Sequence, residues 1–388
     1  MSVRWTLLSS LSTKARSSHC ATVTSRGQLL LYSGEHHPRI PVDGSLHVFD
    51  IEAASCSSLE KNNNSWRVLS SAAASSKPGQ APEPRVGATI AYDAHSDTLY
   101  LWGGRGGVNM SPLDRFQSGI FKASVGDQAL RDIDQLIWAR LESTNDDSGE
   151  APALRSYHAS ALIGGKLYIH AGCPSVGRLA TLHAYDLVSN TWKQCADAPC
   201  EPRGGTSIAL ITFPSVQEQV VIRFGGFAGY ELPNVTPPPL DVYIPSADTW
   251  LTLIPSPDPA HGYPGPRSVC GLVPFVVPSS TSMDGNNKIP VALLYYGEKD
   301  PSSLGHAGAG EFWDDVWALV ASPGPSLENI TTEWKKLDTV GSEKPEPRGW
   351  FPSASYVTPE GKTRIILTGG LLSTNERSSE VWVGDVRL

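Results

Sequence analysis

Positive charge never gathers along this chain. Its 31 Lys and Arg face 39 Asp and Glu, a formal net charge of −8. A nucleic-acid partner would call for a basic stripe that displaces counterions, so none is expected. Long apolar runs are missing too. No stretch reaches the roughly 18 residues a spanning helix needs, so no membrane partner is expected. The opening Met1-Ser2-Val3-Arg4-Trp5 has no charged leader before an apolar stretch, which argues against secretion and for a cytoplasmic protein. None of the 6 cysteines forms a Cys-x-x-Cys pair. That spacing speaks against structural zinc or a redox dithiol and fits a reducing compartment.

Repetition is what the chain does have. Six arginines, Arg16, Arg85, Arg155, Arg203, Arg267 and Arg348, each open an apolar segment. A second apolar segment follows each and ends on Gly34, Gly103-Gly104, Gly172, Gly225-Gly226, Gly297 or Gly369-Gly370. Trp66, Trp138, Trp192, Trp250 and Trp334 close five of the units, and the closing tryptophan missing after Arg348 stands at the other terminus as Trp5. A repeat completed from the opposite end of the chain describes a closed ring. One unit cannot bury its own apolar face, so residues 1–388 are read as a single domain.

Each unit reads as four strands, a to d. Unit three shows them plainly as Tyr157-His158-Ala159, Leu167-Tyr168-Ile169-His170, Leu182-His183-Ala184-Tyr185-Asp186 and Thr191-Trp192. In unit two, strand c is placed at Ile120-Phe121-Lys122-Ala123. The expected fold is all-β, a six-bladed propeller of four-stranded antiparallel blades. The blades cover about 16–70, 85–142, 155–196, 203–254, 267–337, and 348–388 with 2–8. The recurrent Arg-Ser-x-His of Arg16-Ser17-Ser18-His19 and Arg155-Ser156-Tyr157-His158 imitates a nucleophile and base. Its repetition makes it structural, with each arginine expected to join two blades by charge-assisted hydrogen bonds.

Strand c ends on Phe49-Asp50 or Tyr185-Asp186 several residues before a tryptophan. With the double glycines, this resembles the kelch repeat over nearly the whole chain. A kelch unit runs to about 50 residues, whereas the opener arginines lie 48 to 81 apart. The excess falls in 35–45, 105–118, 227–240, 278–288 and 298–313. Four of these connections follow strand b and so gather on one face of the disc, where a rigid scaffold usually carries binding.

The densest polar segment is Gly297-Glu298-Lys299-Asp300-Pro301-Ser302-Ser303-Leu304-Gly305-His306. Glu298 is expected to point to the axis, and a turn at Asp300-Pro301-Ser302 brings His306 back. A carboxylate and an imidazole brought together in this way suit a first-row metal. A solvated polar loop fits the same composition. Gly297-Glu298-x-x-Pro301 with Gly305-His306-x-Gly308-x-Gly310 resembles the metal loop of plant nitrile-specifier, thiocyanate-forming and epithiospecifier proteins. Ser33-Gly34-Glu35-x-x-Pro38 in blade one and Pro347-Arg348-Gly349-Trp350 with Thr374-Asn375-Glu376-Arg377 in blade six resemble the same group.

That resemblance implies Fe(II) as cofactor and lyase-type, specifier activity on a glucosinolate-aglycone-like or other small anionic substrate. It implies Glu298 and His306 as iron ligands. The family's intervening aspartate is Ser302 here, a poor ferrous ligand, and Asp300 or water is left to fill the place. The resemblance also makes Arg105 an anchor for the substrate's anionic group. The alternative for Arg105 is an ion pair with a nearby acidic loop. Trp350 becomes a pocket wall, with inter-blade packing as its alternative. Glu35-His36-His37 stands in blade one where Glu298 stands in blade five. It is read as a solvated loop with Glu35 paired to Arg39. Two rival functions remain. One is a non-catalytic scaffold binding a protein through 114–119 and 278–288. The other is an enzyme of a different pathway that uses the same pocket.

Overall fold

Strand b of each blade is apolar on both faces because each face meets a different neighbour. In the computed structural model, Leu30 and Tyr32 pack with Ile90, Leu101 and Trp138 of blade two. Their alternates Leu29 and Leu31 pack with Tyr356, Ile366 and Val383 of blade six. A strand covered on both sides reads as a continuous apolar run. Truncating one such leucine to alanine costs about 2–5 kcal/mol. The same division recurs between blades two and three, three and four, four and five, and five and six. The core is therefore a circle of inter-blade layers.

The structure describes all residues except 11–13, 57–65, 75–79, 108, 127–129, 131–133, 146–147, 215, 217, 278–287 and 325, and only the backbone of Cys56. Blade one runs Cys20–Val23, Gln28–Tyr32, Leu46–Asp50 and Trp66–Ala73. Blade five runs Gly271–Pro274, Ile289–Tyr295, Val316–Ala321 and Thr332–Lys336. In blade six, Ala354–Val357, Thr363–Thr368 and Val381–Arg387 are completed by Ser2–Ser9, whose Trp5 pairs with Gly384. Strand c of blade two is Phe121–Ser124, one residue later than expected. Two parallel strand pairings were not expected; in one, Ser2 lies opposite Asp338 through Arg4 opposite Val340. In the other, the outer strands of blades one and two run parallel and bonded, Gln135 opposite Ser70 through Trp138 opposite Ala73.

The opener arginines are all buried, and their task differs from the expected one. Each guanidinium stays within its own blade. Arg16 Nε donates to the Lys14 carbonyl and Nη1 to the Ser33 carbonyl at the end of strand b. Arg348 does the same with Glu346 and Gly369. The blades are joined by backbone instead. The amide after each strand b donates to the next arginine's carbonyl, Gly34 to Arg85 and Gly297 to Arg348, until Gly370 reaches Arg16. The flexible arginine braces a blade, and the fixed carbonyl, held by that brace, makes the joint.

A second circle lies on the axis. Ser18 N–H donates to Trp350 C=O, Gly87 to Ser18, Tyr157 to Gly87, Gly205 to Tyr157, Val269 to Gly205, and Trp350 to Val269. All six residues have φ between +43° and +64°. Four of them carry side chains that disfavour this left-handed region, at about 1–2 kcal/mol each. A hydrogen-bonded circle offsets that strain, and it aims Tyr157 and Trp350 into the middle of the ring.

Candidate functional site

Above this circle the b–c connections enclose a cavity of about 300 Å³. Each blade contributes. Glu35 comes from blade one, Arg105 from two, Arg178 from three, Glu231 from four, Glu298 and His306 from five, and Arg377 from six. Tyr157 and Trp350 form its floor and also line a smaller cavity of about 170 Å³ on the far side. Their rings meet edge to face at 5.4 Å. Phe227 and His306 stand 6.0 and 5.8 Å from the Trp350 ring. An aromatic floor with polar walls is the usual composition of a small-molecule site.

Short backbone ribbons position the carboxylates. Glu35–His37 pairs with Ile40–Pro41, and Glu298–Asp300 pairs with Glu311–Phe312. Both ribbons start directly after the strand-b glycine, so Glu35 and Glu298 enter the cavity in the same way. Their surroundings differ. Glu35 is 2% exposed. His306 Nε2 lies 3.0 Å from its Oε2, Arg377 Nη2 lies 3.5 Å from its Oε1, and the Arg39 amide donates to it at 2.8 Å. Burial alone would raise this carboxyl. His306, the Arg39 amide and Arg377 outweigh burial and hold it below the ordinary carboxylate range. The expectation of a solvated Glu35 paired with the Arg39 side chain is thus corrected. The residue is buried, Arg39 offers its backbone, and the charged partners come from blades five and six.

Glu298 is 4% exposed and has no cation partner among the described residues. Burial pushes its carboxyl up to about 7, against the pull of the Trp350 indole and the Gly310 amide. Asp300 turns outward with its side chain 66% exposed, near Lys299. The Ser302 hydroxyl lines the cavity and accepts the Leu304 amide at 3.1 Å. Arg105 donates from Nε to the Ser156 hydroxyl at 2.7 Å and lies over the Tyr157 ring at 5.2 Å. Among the described residues it has no carboxylate partner, and it lines the cavity.

Sequence reasoning missed Glu231 and Arg178, and named Arg377 only within the blade-six resemblance without giving it a role. The signal was a charged residue in the b–c connection of every blade, which becomes visible only when the six connections are laid side by side. Glu231 follows Gly229-Tyr230, and its backbone bridges to Phe227. Burial, reinforced by the negative charge of Glu298 and Asp300, pushes its carboxyl up to about 8, with the Ser268 hydroxyl opposing.

These side chains do not fit a ferrous ion as they stand. His306 is engaged by Glu35, Asp300 points to solvent, and Ser302 offers a neutral oxygen. Among the described residues no group of three or more His, Cys, Asp or Glu is arranged to hold a metal. The five described cysteines, Cys20, Cys173, Cys195, Cys200 and Cys270, are free thiols. No described helix is long and apolar enough to cross a membrane.

The chain is 26% identical over 378 residues to the N-(sulfonatooxy)prop-2-enimidothioate sulfolyase of Thlaspi arvense, covering 95% of this chain and 91% of that one. The solved structure of YjhT superposes with a TM-score of 0.58 over 96% of both chains at 13% identity, a likeness of fold alone. The sequence profile of the KLHDC2/KLHL20/DRC7 Kelch-repeats domain matches residues 18–273. With its arginine-opened blades and inter-blade cores, the chain belongs to that kelch-repeat family.

Proposed function

We propose that the axial cavity takes a small organic anion and that the chain acts on it in a lyase-type, specifier-like reaction. One observation carries this reading. Arg105 lines a 300 Å³ space floored by Tyr157 and Trp350, and among the described residues its guanidinium meets no carboxylate. A guanidinium fork suits a sulfate-like oxyanion, and aromatic rings suit the organic remainder. The plant relative's name specifies a sulfonatooxy substrate, and that group is the anion Arg105 would hold. Arg178, stacked over Phe227 at 4.8 Å, lines the same cavity and adds positive charge. The roles assigned are therefore Arg105 as anion anchor and Trp350 as wall. No step is routed through iron, because the donor set does not fit it.

The test is sulfate release from a sulfonatooxy imidothioate by the purified chain, with and without added ferrous iron, beside binding of n-butyl sulfate by calorimetry. Arg105→Ala is expected to weaken butyl sulfate at least tenfold, and Trp350→Ala severalfold. Butyl sulfate binding that ignores Arg105 would sink the proposal. A second reading, a protein-binding scaffold, draws on Phe116, which is 66% exposed on the 114–119 connection. Nearly all of the other connection expected to bind protein, 278–288, lies outside the described residues.

A further inference from the structure

The cavity is electrically divided. Arg105 and Arg178 belong to blades two and three, and Glu231 and Glu298 to blades four and five. The third carboxylate in the cavity, Glu35, is already matched by Arg377 and His306. Glu231 is 6% exposed, and among the described residues neither of its oxygens meets a donor in hydrogen-bonding geometry, the adjacent Ser268 hydroxyl included. A buried polar group without a partner costs about 1–3 kcal/mol, so such groups are normally satisfied. The charges that act on Glu231 are those of Glu298 and Asp300, both negative. Trp350, Phe227 and Tyr230 line the cavity with these carboxyls. Two carboxyls beside aromatic faces are the chemistry that recognises an organic ammonium, which gains from both charge and ring quadrupole.

We propose that Glu231 and Glu298 form an ammonium subsite, so that the cavity's ligand is a bifunctional molecule with an anionic group held by Arg105 and a basic nitrogen held by Glu231. This deepens the proposed function and rests on its anion anchor for the other end of the ligand. An alkyl sulfate fills half of the site, and an aminoalkyl sulfate fills both halves. Glu231 supplies the acceptor and Glu298 the supporting negative charge. Ordinary anions would leave Glu231 unmatched, so discrimination arises on the acidic wall and not at the arginines.

The experiment compares 4-aminobutyl sulfate, n-butyl sulfate and n-butylamine by titration calorimetry against the full chain at neutral pH and low salt. The expected result is that 4-aminobutyl sulfate binds at least tenfold more tightly than butyl sulfate. Glu231→Gln should bring that ratio to about one, and Glu298→Gln should reduce the ratio in part. Equal binding of the two sulfates by the unaltered chain overturns the proposal, as does an unchanged ratio in Glu231→Gln. The unaltered chain's ratio decides the matter by itself should a variant misfold. The two readings fail separately. Butyl sulfate binding without an amine preference removes the ammonium subsite and leaves the anion anchor. Butylamine binding that needs Glu231, with no binding of butyl sulfate, sustains the subsite and removes the anchor.

Discussion

Glu35 and Glu298 occupy matching places in blades one and five. Each follows a strand-b glycine with positive φ, and each trades backbone hydrogen bonds with a serine just after its opener arginine, Ser17 or Ser268. Local structure is the same, yet the two carboxyls end on opposite sides of the ordinary carboxylate value. Glu35 is held low by His306 and Arg377, which reach it from two other blades. Glu298 is driven up to about 7 by burial, which no cation among the described residues offsets. Position in the repeat sets where a carboxyl points, and the neighbouring blades set whether it is charged. One of them clasps three connections at the mouth. The other meets only the Trp350 indole and the Gly310 amide among the described residues.

The largest expected break in this comparison is Glu35→Gln. It strands the buried Arg377 guanidinium, and removal of one partner of a buried pair costs about 3–5 kcal/mol. Glu298→Gln breaks no ion pair among the described residues and should cost less than about 1 kcal/mol. Urea denaturation at pH 7 measures both, and equal losses would erase the distinction drawn here.

Arg377→Met should come next. With the guanidinium gone, the Glu35 carboxyl loses one of the groups that lower it and should titrate at higher pH, toward the behaviour of Glu298. Carbon-13 NMR of the glutamate carboxyls reads this directly. An unmoved midpoint would assign the whole effect to His306 and the Arg39 amide.

The two kinds of carboxyl should also mark opposite limbs of the stability profile. Glu35 has a lowered folded-state value, so its contribution is present above the unfolded value and is lost as pH falls through the folded one. Glu231 and Glu298 have values raised from 4.5 to about 8 and about 7, so their protonated forms favour the fold at low pH. That contribution declines as pH rises from about 4.5 to about 8. Glu231→Gln should flatten this decline and leave the acid limb in place, and thermal melts across pH 4 to 9 test it. The smallest effect is expected from Ser302→Asp, which keeps an acceptor for the Leu304 amide and should stay within about 0.5 kcal/mol of the parent in stability. A large loss would show that the metal-loop position is tightly constrained after all.

The opener arginines, the strand-b glycines and the apolar strands were legible because each is a local pattern repeated six times. The cavity floor was partly legible through Trp350, and Arg105 through its place after a double glycine. Glu231 escaped notice because it follows its strand-b glycine by five residues and stands on the returning leg of its connection. The Glu35–His306 pair spans 271 residues of chain, and no local spacing rule reaches that far. The parallel joint between the outer strands of blades one and two was hidden for the same reason, since both pairing strands look ordinary alone.

By itself, the sequence determined the blade, the repeat and the face on which the long connections gather. These follow from short-range periodicity, from the dihedral freedom of glycine and from the need to bury two apolar faces. Only the tertiary structure decided which carboxylates meet cations and which stay unmatched, because closing the ring brings together side chains that the linear order keeps hundreds of residues apart. Charge at the mouth is therefore a property of the closed circle, set by burial and by partners that belong to other blades.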